Sequence, residues 1–183
     1  VPDSRSDTLL RYIQSFLLLH AWLIESSGTD VTRRFLTKYI DPFPPDYIEL
    51  VLDVDYSPKL DQLIVDYLEH NPTRNRALDM LPLFCQLNQE KVMQGVLPEE
   101  SSLIKPRPAF HYRLPDCRVN VPGWTAAAPW NQWVHVEVLA TDTSLLEELI
   151  TAWRTCKSEF SLAPQRAWVR RLPSILSQKY LAG

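Results

Sequence analysis

Two short stretches of this chain carry residues whose types and spacing suit anion chemistry. From Ile104 to Leu114 the sequence reads I-K-P-R-P-A-F-H-Y-R-L. Side chains alternate faces along a strand, so Lys105, Arg107, His111 and Arg113 are expected on one face. Ile104, Phe110, Tyr112 and Leu114 would then turn towards a core. An apolar back with a cationic front, free of acidic residues, forms one wall of an anion site. The second stretch, residues 71–83, reads N-P-T-R-N-R-A-L-D-M-L-P-L. Arg74 and Arg76 lie two apart there, beside Asn71, Asn75 and Asp79. Arginine is permanently charged and offers a planar fork of donors matched to carboxylate or phosphate oxygens. If the two stretches fold together, their cations could clamp a transferring phosphoryl group.

Each signal has a plainer explanation. Edge strands also carry Lys and Arg to deter pairing, and Pro106 and Pro108 mark an edge. Arg74 and Arg76 could cap helix ends or pair with Glu69 and Asp79. His20 lies on an apolar helix face and is expected to pack in the core, whereas His70 suits a helix C-terminus. His135 with Glu137 reads as surface decoration, and Trp124, Trp130 and Trp133 as packing under a loop. The three cysteines, Cys85, Cys117 and Cys156, lack metal-ligand spacing and read as reduced thiols of a cytoplasmic protein.

The elements that must hold these residues are mostly helical. Ser6 or Asp7 is expected to cap a helix to about Ser26, with Leu9, Leu10, Ile13, Phe16, Leu17 and Leu19 on its apolar face and Gly28 as its stop. Asp30 would cap a second helix to Tyr39. The run Asp41-Pro-Phe-Pro-Pro is a rigid connector. A short helix over Tyr47–Leu52 follows, then one opened by Ser57-Pro58 and running to His70. After the apolar run Leu78–Phe84, a Gln- and Glu-rich loop leads to the basic strand. Residues 116–129 read as loop. The segment from Trp130 to Ala140 fits either a strand or a helix, and Pro129 in a first turn favours helix. Thr143 is expected to cap a helix to Phe160, and Gln165–Tyr180 to form the last.

With 183 residues, 45% hydrophobic and 22% charged, the chain has the size and composition of one folded domain. Its net charge of -3 argues against nucleic-acid binding over the whole surface. No signal peptide or membrane-spanning run is visible.

The segments L-L-R-Y-I-Q-S-F-L-L-L, D-P-F-P-P-D-Y, Y-L-E-H-N-P-T-R-N-R-A-L-D-M-L-P-L-F and K-P-R-P-A-F-H-Y-R-L-P resemble the C-terminal portion of bacterial amidoligases. These belong to the carboxylate–amine ligase superfamily with a glutamine-synthetase-like catalytic fold. The resemblance runs from about Thr8 to Ala140. It implies an α+β fold, predominantly helical in this segment, with a short strand near 109–114. It also implies a cytoplasmic enzyme that joins a small-molecule or peptide carboxylate to an amine, using ATP and Mg²⁺ or Mn²⁺ through an acyl phosphate. Arg74, Arg76 and Arg113 would hold phosphate, while Arg107, Lys105 and Asn75 would bind substrate. His111 stands where the superfamily often places a metal-binding Glu, two residues before a phosphate-binding Arg.

The superfamily's main metal carboxylates have no counterpart in residues 1–50, and are expected upstream. The chain alone is therefore expected to be an incomplete catalytic domain that turns over little ATP. Superfamily sites can form between subunits, which leaves oligomerisation open. The alternative is a non-catalytic helical module that binds an acidic partner through the basic strand.

Overall fold

A computed structural model describes residues 4–26, 40–113, 119–160 and 164–180. The expected helix over 30–39, and Gly28, Leu114 and Cys117, lie outside the described residues. Among those described, α1 spans Ser4–Ser26, α2 Pro45–Val51 and α3 Leu60–His70. Strand β1 (Leu78–Asp79) precedes α4 (Leu81–Leu87), α5 (Gln89–Gly95) and α6 (Pro98–Ser101). Strand β2 (His111–Tyr112) is followed by α7 (Ala127–Thr141), α8 (Thr143–Glu159) and α9 (Pro164–Tyr180). The described residues are thus mostly helical with little strand, as an α+β chain dominated by helices should be.

Helix α1 is the axis of the fold. It packs against α2, α3, α7, α8 and α9. Leu10, Ile13, Phe16, Leu19 and Leu23 recur at helical spacing and are buried, and Leu18 is buried as well. An apolar surface wider than one stripe is the mark of a helix covered on several sides. Its polar side chains tie it to its neighbours: Gln14 Nε2 donates to Val51 O at 2.9 Å, and Arg11 Nε to Ala140 O at 3.0 Å. From the other side, the buried Trp168 of α9 donates Nε1–H to Leu18 O at 2.8 Å. Helix α5 lies against α3 so closely that a Cβ added at Gly95 would come within 2.9 Å of Leu68 Cδ1.

Several local expectations are corrected. Helix α1 starts at Ser4, and Ser6 does not cap it but donates Oγ–H to Pro58 O at 2.6 Å. Helix α3 opens at Leu60 after Lys59, without a side-chain cap, so Ser57 is not its start. Helix α2 begins at Pro45, whose fixed φ suits a first turn. Asp142, rather than Thr143, caps α8 by accepting from Leu145 N. The stretch read as a Gln- and Glu-rich loop holds α5, capped by Asn88 Oδ1 accepting from Lys91 N, and α6. The segment around Trp133 is the helix α7, as expected.

The basic strand is much shorter than its alternation suggested. Among its described residues only His111 and Tyr112 pair with a neighbour, antiparallel to β1, in the register Leu78↔Tyr112 and Asp79↔His111. Proline lacks the N–H that a ladder needs, and Pro106 and Pro108 flank Arg107, whose own N–H reaches Pro82 O at 3.0 Å. The apolar side of the alternation does face inwards. Ile104 is buried, and Tyr112 packs tilted against Trp133 with ring centroids 4.8 Å apart. Phe110 packs on Tyr12 and Trp133 at 5.8 and 5.5 Å. This aromatic cluster fixes the ladder to α1 and α7. No helix among the described residues is long and apolar enough to cross a membrane.

Candidate functional site

The β1–β2 register places Asp79 and His111 directly opposite each other, so their side chains share one face of the ladder. Asp79 is fully buried. A carboxylate at such a place must be paired, and here it is paired twice over. Its Oδ1 accepts from Leu81 N at 3.1 Å, anchoring the start of α4, and its Oδ2 accepts from Arg74 Nε at 3.0 Å. Burial pushes the Asp79 pKa up, while the Arg74 guanidinium and the Leu81 N–H pull it back. Tyr67 steadies the same strand: its hydroxyl donates to Leu78 O at 3.0 Å and accepts from Met80 N at 3.3 Å.

Arg74 is the hub of the cluster. Besides Asp79, it donates Nη1–H to Leu103 O at 3.0 Å, and its Nη2 lies 3.2 Å from His111 Nδ1. Guanidinium only donates, so His111 Nδ1 can enter that bond only as its acceptor. The loop carrying Arg74 is held by Thr73, whose Oγ1 donates to Glu100 Oε1 at 2.9 Å and accepts from Asn75 N at 3.1 Å.

Arg113 enters from the end of β2. Its backbone N–H donates to Ala77 O at 2.9 Å and its Nη2 to Arg74 O at 3.0 Å. Its Nε is buried and has no acceptor among the described residues. Arg74, His111 and Arg113 thus converge, with the buried Asp79 behind them.

Arg76 points elsewhere. It is buried, donating Nε–H to Asn71 Oδ1 at 2.7 Å and Nη2–H to His70 O at 3.4 Å, with Nη1 3.8 Å from Asp41 Oδ2. Asn75 joins this second knot, donating Nδ2–H to Asp41 Oδ2 at 3.1 Å while its carbonyl accepts from Asp41 N at 3.0 Å. Together these residues clamp the proline-rich connector onto the T-R-N-R loop. Lys105 and Arg107 are exposed on the coil before β2, away from any ion pair among the described residues.

In the sequence Asp79 stands out only as a pairing partner for Arg74 or Arg76. The signal for more was present: a single carboxylate inside the run A-L-D-M-L-P-L, with apolar residues on both sides, must either break the run or be buried and paired. The remaining histidines and tryptophans take quieter places. His70 ends α3, with Nδ1 2.8 Å from Asp66 O. His135 is exposed and edge-on to Trp22, while Glu137 accepts from Trp133 Nε1 at 2.8 Å. Trp133 is in the core and Trp130 is exposed. Cys85 and Cys156 are buried and unpaired. An apolar groove of about 380 Å³ between α1, α7 and α9 shares no lining residue with the cluster.

Residues 1–135 match the family model "Putative amidoligase enzyme", which spans both arginine knots and the whole ladder. The chain belongs to this amidoligase family. No curated protein and no solved structure matches it.

The cluster can be tested against the groups that such an enzyme calls for. Arg113, with an unused buried donor beside a second guanidinium, fits an oxyanion such as a nucleotide phosphate or a carboxylate. A metal centre does not fit as well. Among the described residues no three His, Cys, Asp or Glu side chains gather in a metal-binding arrangement. Both Asp79 oxygens are already engaged by N–H donors.

Proposed function

We propose that the chain takes part in ATP-dependent amide-bond formation between a carboxylate and an amine, and that the Arg74–His111–Arg113 cluster is the anion-handling side of its site. One observation carries the reading: Arg113 is held on two backbone carbonyls while its buried Nε lacks an acceptor, in a member of an amidoligase family. A buried donor without a partner costs about 1–3 kcal/mol, and an incoming phosphoryl or carboxylate oxygen relieves that cost. ATP, when bound, supplies the phosphoryl group that makes the carboxylate reactive. Arg113 would bind an oxygen of that group, and Arg74 would add positive potential behind it. Such catalysis is mostly positioning and electrostatics.

Lys105 and Arg107, exposed just before the ladder, are proposed to attract the acidic substrate. The ladder itself is taken as part of a glutamine-synthetase-like sheet, in which His111 and Arg113 keep the two-residue spacing of that superfamily's ligand-bearing strand. No step is assigned to a metal ion.

Arg113→Lys keeps the charge and loses the fork. It is expected to lower kcat/KM by about 100-fold, the size of loss seen when one preorganised donor is removed from a charge-stabilising site. ATP-dependent hydroxamate formation from a panel of carboxylates, with hydroxylamine as the amine, measures it. Near-normal turnover in the folded, intact Arg113→Lys enzyme refutes the assignment.

A further inference from the structure

The imidazole of His111 has two nitrogens, and the cluster has already used one. Nδ1 faces Arg74 Nη2 at 3.2 Å and lies 3.6 Å from Asp79 Oδ2. An Nδ1–H tautomer would set one N–H against another at the shorter contact, and its only acceptor would lie beyond normal hydrogen-bond distance. With Nδ1 accepting, the proton is on Nε2, and the other end of the ring presents a donor and not a lone pair. A metal ion needs the lone pair of a neutral nitrogen. An anionic oxygen needs the donor.

The fork of Arg74 is itself aimed by Asp79, through the 3.0 Å bond to Nε. The neighbouring Arg113, tied to Arg74 O, adds a positive charge that attracts anions and repels cations. The charged groups facing the ring are therefore Arg74 and Asp79, with Arg113 one residue beyond Tyr112 on the same strand side.

From this geometry we propose that Arg74 locks His111 as an Nε2–H donor, so that His111 binds an anionic oxygen and not a metal ion. Asp79 is the positioning residue behind both. The anion-binding half of this proposal rests on the functional reading above; the tautomer lock does not. It sets His111 apart from the metal-binding Glu that the resemblance puts at its position.

The test is two-bond ¹H–¹⁵N spectroscopy of the full chain labelled on histidine, at pH 8. His111 is expected to show a protonated Nε2 and an unprotonated Nδ1, the latter shifted by the bond from Arg74. Arg74→Met removes the donor altogether, so that Nδ1 shift should disappear while the His135 signals stay in place. A protonated Nδ1 in the unmodified chain overturns the lock, and so does an Nδ1 shift unchanged in Arg74→Met. Should Arg74→Met fail to fold, the unmodified spectrum decides.

Inorganic phosphate and acetate are then titrated separately. A response of Nε2 to phosphate assigns the oxygen to a phosphoryl group, and a response to acetate assigns it to a carboxylate. His111→Gln, whose side-chain amide can donate from the place of Nε2, should keep the affinity within about threefold, whereas His111→Glu should abolish it. Mn²⁺ in the same range should broaden His111 no more than the exposed His135; preferential broadening of His111 overturns the proposal. An Nε2–H ring that answers neither anion overturns the anion-binding role of His111 and leaves the tautomer lock standing, while the functional reading stands or falls separately with Arg113→Lys turnover.

Discussion

Arg76 and Arg113 are the same residue type, held within the same small region, and they end in opposite conditions. Arg76 is buried with its guanidinium spread over Asn71, His70 and Asp41. Arg113 is fastened at Nη2 and left open at Nε. The first knot is closed and holds the proline connector in place. In the second, Arg113 keeps a buried donor with no acceptor among the described residues. The contrast teaches that a cluster of cations is not itself a site: spare donors distinguish an arginine that can meet a ligand from one that completes the scaffold.

Four substitutions or conditions press on that contrast. The largest effect is expected from Arg74→Met, because it strands the fully buried Asp79 carboxylate; removing one partner of a buried pair costs about 3–5 kcal/mol. Denaturant unfolding measures it. A loss under 1 kcal/mol would show that Asp79 is not ionised in the folded chain.

Next comes a reference point outside both knots. His20 packs on Phe16 with ring centroids 4.7 Å apart, and burial lowers its pKa from 6.5 to about 4. The unfolded chain therefore takes up a proton near pH 6.5 that the folded chain refuses until about pH 4. The contribution of His20 is complete above the upper value and is lost as pH falls through this window, by about 3 kcal/mol in all. His20→Leu should flatten that slope without altering the behaviour of either arginine knot. An unchanged slope would place the acid sensitivity elsewhere.

Arg76→Met should cost about 2 kcal/mol, chiefly because it leaves Asn71 Oδ1 buried and without its donor. Turnover per folded molecule should be unchanged. If Arg76→Met silenced a fully folded enzyme, the closed knot would belong to the chemistry after all. The smallest stability effect is expected at Arg113→Met, within about 1 kcal/mol, since the substitution also removes an unsatisfied donor. Its activity should vanish. The two variants thus trade places between the unfolding curve and the assay.

The helices around the site were legible because their apolar residues recur at helical spacing: Leu10, Ile13 and Phe16 in α1, and Leu63, Ile64 and Tyr67 in α3. Their starts were less so, since Ser6 and Ser57 look like caps in any local window. What reassigns Ser6 is Pro58, a partner distant in sequence. For the site, alternation correctly turned Phe110 and Tyr112 inwards. It could not show that Lys105 and Arg107 stay outside the ladder, because pairing depends on where the neighbouring backbone offers partners. Nor could spacing separate Arg74 from Arg76. That division depends on Asp79 and Asp41, which reach the loop from opposite sides.

The bond from Trp168 to the carbonyl of Leu18 carries a practical consequence. The family match ends at residue 135, within α7, yet α1 is covered by α8 and α9 as well. The evolutionary unit and the cooperative unit therefore have different edges. A recombinant version trimmed to the matched segment would uncover Leu18 and cut α7 through its middle, and it should be recovered as aggregate.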